Sequence, residues 1–293
     1  MKLFPLIALW MAFTSVLNAA DTPAPWKGTG LTVQLVSEVT AIHPGQPYYT
    51  GLFIHHDAGH HTYWKKPGIL GVATKLEWEL PKGWKAGEIE WPAPEKVKMA
   101  SRGTHGYERD VLLMVKITPP AKISEKTVTL KTKASWMCCG TTCNPAYHDL
   151  EITQPVSAEP EPGWNPQWHK VFEEERGNFP VPLTGWKLHA VRDGETIILT
   201  GEPEKKGTLA PQEAVFFSDD DSGAGGEFLI CSDLPQKWTV QGEGFRVELP
   251  VSEWPPKNQS VLRGVITGKK AWLPDGKKAA LLEVPVKKAP DKK

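Results

Sequence analysis

Short segments in which apolar and polar residues alternate recur along the first half of the chain, and each is rich in residues that favour β-strands. Turn signals such as His43-Pro44-Gly45 and Pro81-Lys82-Gly83 separate these segments. The pattern therefore predicts one antiparallel β-sandwich. Its predicted strands are Leu31–Glu38, Thr50–His56, Thr74–Leu80, Val111–Ile117, Thr127–Thr132 and Asp149–Gln154.

A second series of alternating segments starts at Trp186, after a break in the pattern. Residues 155–162 contain three prolines among small and acidic residues, which indicates a semi-rigid linker. A short helix is predicted next, with Asn165 as N-cap, Pro166 at the first helical position and Gly177 as its stop. The second series indicates a second β-sandwich-like domain. Its predicted strands are Thr196–Thr200, Glu213–Phe217, Glu227–Cys231, Trp238–Val240, Phe245–Leu249, Val261–Ile266 and Ala279–Val284.

The sequence thus predicts an all-β protein: a first sandwich, a short helix and a second β domain. The predicted parts are a signal peptide at 1–20, the first sandwich at 21–155, a linker and helix at 156–180, the second β domain at 181–286 and a basic tail at 287–293.

The first twenty residues predict export from the cytoplasm. Lys2 precedes an apolar run from Leu3 to Leu17, and the small residues Ala19 and Ala20 follow it. This is the pattern of a secretory signal peptide cleaved near Ala19 or Ala20. The apolar run is about 15 residues long, shorter than the roughly 20 that a membrane-spanning helix needs. We therefore expect a soluble protein that is periplasmic or otherwise exported.

Composition excludes several classes of function. The chain has 293 residues, of which 40% are hydrophobic and 23% are charged, so a globular protein is expected. Basic and acidic residues number 34 each, and this balance argues against a nucleic-acid partner. The chain has no Gly-x-Ser-x-Gly motif, phosphate-binding loop or dinucleotide fingerprint, so hydrolase and nucleotide chemistry have no support.

Three of the four cysteines lie within six residues, a clustering that suggests chemistry more than scaffolding. Cys139 and Cys143 flank small residues that include Gly140, which is the form of a tight hairpin tip whose ends could be bridged by a disulfide. At an exposed turn the sulfurs of such a pair would be open to attack by another protein's thiolate. The alternative is an inert staple of the hairpin.

Three motifs together carry a family resemblance: His61–Gly68, then Gly106-Tyr107-Glu108 before a strand, then Trp136–Pro145 with its Cys-x3-Cys. In order and spacing they resemble the N-terminal periplasmic domain of the DsbD thiol:disulfide interchange proteins, particularly the ScsB-like branch. The resemblance extends over about residues 30–155. The second half of the chain is similar to the region that follows this domain in ScsB-like proteins.

The resemblance implies an immunoglobulin-like sandwich whose redox-active pair is Cys139 and Cys143, with the activity of a protein-disulfide reductase and no cofactor beyond the disulfide. It implies electron transfer from a membrane-embedded donor to periplasmic thioredoxin-like or disulfide isomerase proteins, in settings such as cytochrome c biogenesis or copper tolerance. This chain has neither the polytopic membrane domain nor the C-terminal thioredoxin domain of the full-length proteins. A donor of the DsbD or ScsB type would therefore be a separate chain, and the direction of electron flow is open.

The resemblance also implies which residues surround the pair: His61, Tyr63, Trp64, Tyr107, Glu108, Trp136 and Pro145. The four aromatic rings would shield the disulfide from stray oxidants until a partner docks. A cationic His61 imidazole would lower the pKa of a neighbouring cysteine, or Glu108 would instead act as the proton acceptor. An ordinary part-buried histidine is the alternative for His61.

The other two cysteines leave alternatives open. On a strand, the side chain of Cys138 points away from that of Cys139, so Cys138 could join Cys231 in a structural disulfide. Two buried free thiols are the alternative.

Four histidines, His55, His56, His60 and His61, together with the thiols would suit copper. However, strand alternation places His55 and His56 on opposite faces, so copper is not favoured and no metal ligand is predicted. Two rival functions remain: an envelope binding module with a structural disulfide, and a copper-binding tolerance protein.

Overall fold

In a computed structural model, the structure describes residues 23–158, 163–220 and 228–289. The predicted signal peptide lies outside these residues. Within them, no helix is long and apolar enough to cross a membrane.

Residues 23–158, the described part of the first half, form eleven strands. They are Trp26–Gly28 (β1), Leu31–Ser37 (β2), Tyr48–His56 (β3), Thr62–Tyr63 (β4), Lys75–Glu79 (β5), Lys85–Glu90 (β6), Glu95–Met99 (β7), Arg102–Tyr107 (β8), Val111–Thr118 (β9), Thr127–Cys139 (β10) and Cys143–Pro155 (β11).

One helix, His169–Gly177 (α1), and eight further strands follow in the described part of the chain. The strands are Val181–Pro182 (β12), Trp186–Asp193 (β13), Thr196–Pro203 (β14), Val215–Ser218 (β15), Lys237–Gln241 (β16), Gly244–Pro250 (β17), Val261–Thr267 (β18) and Ala279–Lys288 (β19). The predicted all-β class, with immunoglobulin-like sandwich architecture, is confirmed.

The first half is a sandwich of two main sheets. One has the strand order β1-β2-β3-β9-β6 and the other has the order β11-β10-β5, while β4-β8-β7 forms a small third sheet. Alternate residues of the two main sheets, among them Leu35, Leu52, Leu130 and Ile152, are buried in a common core. This alternation is what the sequence pattern predicted.

Helix α1 covers the outer face of the larger sheet. Phe172 and Trp168 pack there against Val36, Leu112 and Met114. Since β9 is covered on both faces, all of its first five residues are buried. Helix α1 begins at His169, later than predicted, because the backbone N–H of Asn165 donates to Glu38 of the sandwich and residues 166–168 form a turn.

The second half is built around a long last strand that joins two groups of strands. The hydrogen-bonded order is β15-β18-β19-β13-β14-β17-β16, and β12 also pairs with β19. The first part of β19 pairs with β18 and its last residues pair with β13. Side chains from both groups, including Leu199, Val247, Leu262 and Ile266, fill a second core. The predicted strand Glu227–Cys231 is wrong for its described residues, where Ile230 makes only an isolated bridge to Val251.

The two halves contact each other through the segment that follows β4 and through the β7–β8 hairpin. Lys65 forms an ion pair with Asp219, and Arg102 forms one with Asp233. The Ser232 hydroxyl donates to the Gly103 carbonyl and accepts from the Ile69 N–H. Phe217, Val265 and Ala279 of the second half also belong to the first core. The domain boundaries given above stay a prediction.

Two buried histidines make the stability of this fold depend on pH. Burial lowers the pKa of both His105 and His56 to about 4, whereas an unfolded histidine titrates near 6.5. As the pH falls from about 6.5 to about 4, the unfolded state takes up protons that the folded state does not bind, so stability is lost. The loss is about 3 kcal/mol for each group.

We therefore expect the free energy of unfolding, measured with urea at pH values between 7 and 4.5, to decrease as the pH falls. His105→Phe removes one of the two groups and should make this decrease shallower. His189→Gln, at an exposed position in the second half, is the matched control and should leave the slope close to that of the wild type. Parallel curves for wild type and His105→Phe would contradict the linkage.

Candidate active site

The tip of the β10–β11 hairpin carries a disulfide. The thirteen-residue strands β10 and β11 pair along their whole length, ending with Cys139 opposite Cys143. Residues 140–142 close the turn, in which the Gly140 N–H donates to the Thr142 carbonyl. The Cys139 and Cys143 Cα atoms lie 4.1 Å apart and their sulfurs are bonded. The predicted bridge at a hairpin tip is confirmed.

The two bridged cysteines differ in exposure. Cys139 is 0% exposed, whereas Cys143 is an exposed residue. The hairpin tip therefore presents Cys143 to an approaching molecule and holds Cys139 beneath it. Thiol–disulfide exchange depends on which sulfur an attacking thiolate can reach. The exposed Cys143 is therefore the accessible member of the pair, and the buried Cys139 is the shielded one.

The segment before β4 buries Cys139 by pairing with it. His61 donates its N–H to the Cys139 carbonyl at 2.9 Å and accepts from the Cys139 N–H at 3.0 Å. The end of β10 is thus flanked by β11 on one side and by His61 on the other. The His61 ring is buried and meets the Tyr63 ring edge to face, with centroids 5.1 Å apart. Of the predicted surrounding residues, His61 lies beside the disulfide and Tyr63 lies next to His61.

His60 is a neighbour of the hairpin tip that the sequence reasoning did not place there. A Cβ atom added to Gly140 would lie 2.7 Å from the His60 ring, and one added to Gly30 would lie 2.1 Å from the same ring. The imidazole therefore lies against two positions without side chains, one of them in the turn between the cysteines. The only sequence signal for this contact was the absence of a side chain at Gly30 and at Gly140. These two positions are far apart in the sequence, and the fold brings both of them to the His60 ring.

Burial governs the electrostatics of this site. It lowers the pKa of His61, with a further contribution from His60. It raises the pKa of the Cys138 thiol to about 11, where Asp57 contributes as well. It also raises the pKa of Tyr63 to about 12, with Cys138 as the second cause. At neutral pH these groups are therefore uncharged.

The remaining predicted aromatic residues make their ring contacts with other parts of the structure. Trp64 packs against His105 and Phe217, at the contact between the halves. Trp136 packs edge to face on Trp26, and the Tyr107 hydroxyl donates to the Pro92 carbonyl. Their role in covering the disulfide stays a prediction.

Glu108 and Pro145 are both exposed. The Glu108 N–H donates to the Glu95 carboxylate, and Pro145 lies on β11 opposite Met137. The predicted roles of both residues likewise stay predictions.

The candidate Cys138–Cys231 disulfide is wrong: within the described chain both cysteines are free. Cys138 is buried in the core of the first sandwich. Cys231 lies in the second half, where its N–H donates to the Pro250 carbonyl at the end of β17. A thiol facing the first core cannot bridge to this position, so the alternative of two free thiols applies.

Two histidines of the candidate copper cluster are engaged elsewhere. The His55 ring contacts Asp110, and both nitrogens of the His56 ring contact oxygens, those of Arg109 and Thr62. A separate group, Glu38, His169 and Glu173, brings potential ligand atoms within 4.8 Å of one another. The Arg176 guanidinium binds the carboxylates of both Glu38 and Glu173, so a cation there would compete with an arginine already in place.

Residues 32–155 match the family model described as the N-terminal part of thiol:disulfide interchange protein DsbD. The N-terminal periplasmic domain of ScsB from Proteus mirabilis is similar in fold, with a TM-score of 0.63 at 15% identity, covering 88% of this chain and 94% of that one. A conserved domain protein from Bacillus anthracis aligns over 90% of this chain and 89% of its own, at 10% identity and a TM-score of only 0.26. No curated protein matches the sequence.

Proposed function

Residues 32–155 form a DsbD N-terminal-like domain of the thiol–disulfide interchange type, and from this premise we propose that the protein relays electrons between a membrane-embedded reductase and disulfide proteins of the cell envelope. In this role it acts as a thiol–disulfide oxidoreductase. Cys139 and Cys143 are the exchanging pair.

The observation that carries this proposal is the unequal exposure of the two bridged cysteines at the hairpin tip. Exchange needs one sulfur that a partner can reach and a second one close enough to resolve the mixed disulfide. Cys143 meets the first requirement because it is exposed. Cys139 meets the second because it lies directly opposite Cys143 in the hairpin and is buried.

The chemistry follows from these positions. A donor thiolate attacks the Cys143 sulfur, a bond forms between the two, and the Cys139–Cys143 bond breaks with its electron pair left on Cys139. The donor's second thiolate then attacks its own bridged sulfur and releases the Cys143 thiolate. The donor leaves as a disulfide, and this protein holds two thiols. Attack by the Cys143 thiolate on a partner's disulfide passes the two electrons on by the reverse sequence.

The cellular setting is part of the proposal. The predicted signal peptide at residues 1–20 would deliver the protein to the envelope, where disulfides persist. The donor would be a separate membrane chain of the DsbD or ScsB type, and the acceptors would be thioredoxin-like or disulfide isomerase proteins. The disulfide itself would serve as the only redox group.

The reduction potential of the purified protein tests the proposal. The chain is equilibrated in thiol redox buffers and alkylated, and mass spectrometry then assigns which cysteines have changed state. We expect the Cys139–Cys143 couple to titrate between about −180 and −270 mV, the range of exchange proteins. Cys231 should remain a free thiol throughout and serves as the internal control.

A couple that stays oxidised below about −300 mV would contradict the relay. It would indicate a structural staple, and the protein would then be an envelope binding module.

A further inference from the structure

His61 and Cys139 form a cross-strand pair that exchanges both backbone hydrogen bonds. In an antiparallel pair of this kind the two side chains leave the backbone on the same face, with Cβ atoms about 5 Å apart. The imidazole of His61 is therefore a neighbour of the buried sulfur of the disulfide. This placement is set by the backbone and does not depend on the identity of either side chain.

One nitrogen of this imidazole lacks a hydrogen-bond partner in the part of the oxidised protein that the structure describes. His61 is 2% exposed, and its Nε2 atom is buried without a hydrogen-bond partner among the described residues. Buried polar atoms are almost always paired, so an orphan beside a reactive group calls for a functional explanation. A bonded disulfide sulfur is a weak acceptor and carries no charge, whereas a thiolate is an anion.

Opening the disulfide creates the missing acceptor. When a thiolate attacks Cys143, the electron pair of the broken bond goes to the Cys139 sulfur, in a residue that is 0% exposed. A buried anion is costly unless a donor stabilises it. We propose that His61 is that donor: its Nε2–H forms a hydrogen bond to the Cys139 thiolate and makes Cys139 the better leaving group. The inference rests on the proposed function and adds a residue to its chemistry.

The groups that face His61 are consistent with a neutral donor. They are His56 on β3, His60 beside it in the chain, Tyr63 on β4 and Cys139 on β10. Burial and His60 lower the pKa of His61, so at neutral pH the ring is uncharged and keeps one N–H. The hydrogen bond then forms with no proton leaving the ring, and solvent protonates Cys139 afterwards.

The test measures the pKa of Cys139 in the reduced full-length chain. Alkylation by iodoacetamide is followed from pH 5 to 10, and tandem mass spectrometry separates Cys139 from Cys143. His61→Phe removes the donor and should raise the Cys139 pKa by about one pH unit, a tenfold loss of thiolate at neutral pH. His61→Gln keeps an N–H donor and should retain most of the wild-type value. His189→Gln, at an exposed position in the second half, is the matched control and should leave the Cys139 pKa unchanged.

An unchanged Cys139 pKa in both His61 variants would overturn the inference. An equal rise in both would also overturn it, because loss of packing rather than loss of the donor would then be the cause. Near-ultraviolet circular dichroism and re-formation of the disulfide establish that each variant is folded. The readout needs no partner protein, so a failed relay with a shifted Cys139 pKa would contradict only the proposed function.

Discussion

Cys143→Ser is expected to slow the reaction of the protein with disulfides about a hundredfold, whereas Cys139→Ser should leave a thiol that reacts readily but cannot complete the exchange. The reason is the difference in exposure: Cys143 lies open at the hairpin tip, and Cys139 is fully buried under His61. Access of one sulfur to another is required for exchange. Both variants should therefore be inactive in turnover, for different reasons.

Oxidised glutathione is the probe that separates the two variants. Cys139→Ser should accumulate a mixed disulfide at Cys143, which mass spectrometry detects as a stable adduct. Cys143→Ser should form an adduct at Cys139 more slowly, on the order of a hundredfold, because the remaining sulfur is shielded. Cys231→Ser leaves the bridged pair intact and serves as the control, with turnover like that of the wild type. Equal adduct rates in the two variants would contradict the assignment of Cys143 as the attacking residue.

The β10–β11 hairpin could be predicted from the sequence because the residues that specify it are neighbours along the chain. Small residues between Cys139 and Cys143 predict a tight turn, and the two flanking strands were expected. Both strands are longer than predicted, and they reach the cysteines themselves. The alternation of buried residues along β10 continues through Ala134 and Trp136 to Cys138. The same sequence pattern therefore also predicts the longer strand.

The β7–β8 hairpin, in contrast, was missed because its turn has no sequence signal. Ala100 at the turn adopts a φ of 54°, a conformation for which glycine or asparagine is the usual sign. Strand β4 is only two residues long and exists through its pairing with β8. Since this pairing positions the segment that reaches Cys139, the immediate surroundings of the disulfide depend on contacts that no local pattern specifies.

Trp64 illustrates the same limit at a candidate site residue. The motif implied a role in covering the cysteines, but the ring packs against Phe217, more than a hundred positions further along the chain. A sequence pattern can predict that a tryptophan is buried, yet it cannot identify the partner when the two residues lie far apart along the chain. The contact between the halves was therefore found only from the fold.

Trp64→Ala is expected to lower the free energy of unfolding by about 3–5 kcal/mol, the usual cost of removing a large buried ring. Trp64 is 1% exposed, and its ring centroid lies 6.3 Å from that of His105 and 6.5 Å from that of Phe217. The variant leaves a cavity where the first half meets the second. The next residue, Lys65, holds Asp219 of the second half in an ion pair, which the loss of the ring should also weaken.

Trp64→Phe should lose less than half as much stability as Trp64→Ala. Phenylalanine refills most of the volume, and it removes a buried N–H donor that has no acceptor among the described residues. The Trp64 Nε1 atom is buried without a hydrogen-bond partner in the described part of the chain. Such a donor costs about 1–3 kcal/mol, which the substitution recovers. Urea unfolding of the oxidised chain at pH 7.5 measures both variants, with Trp164→Ala, at a ring that is 54% exposed, as the control. If Trp64→Ala were no more destabilising than this control, the Trp64 contact would not hold the two halves together.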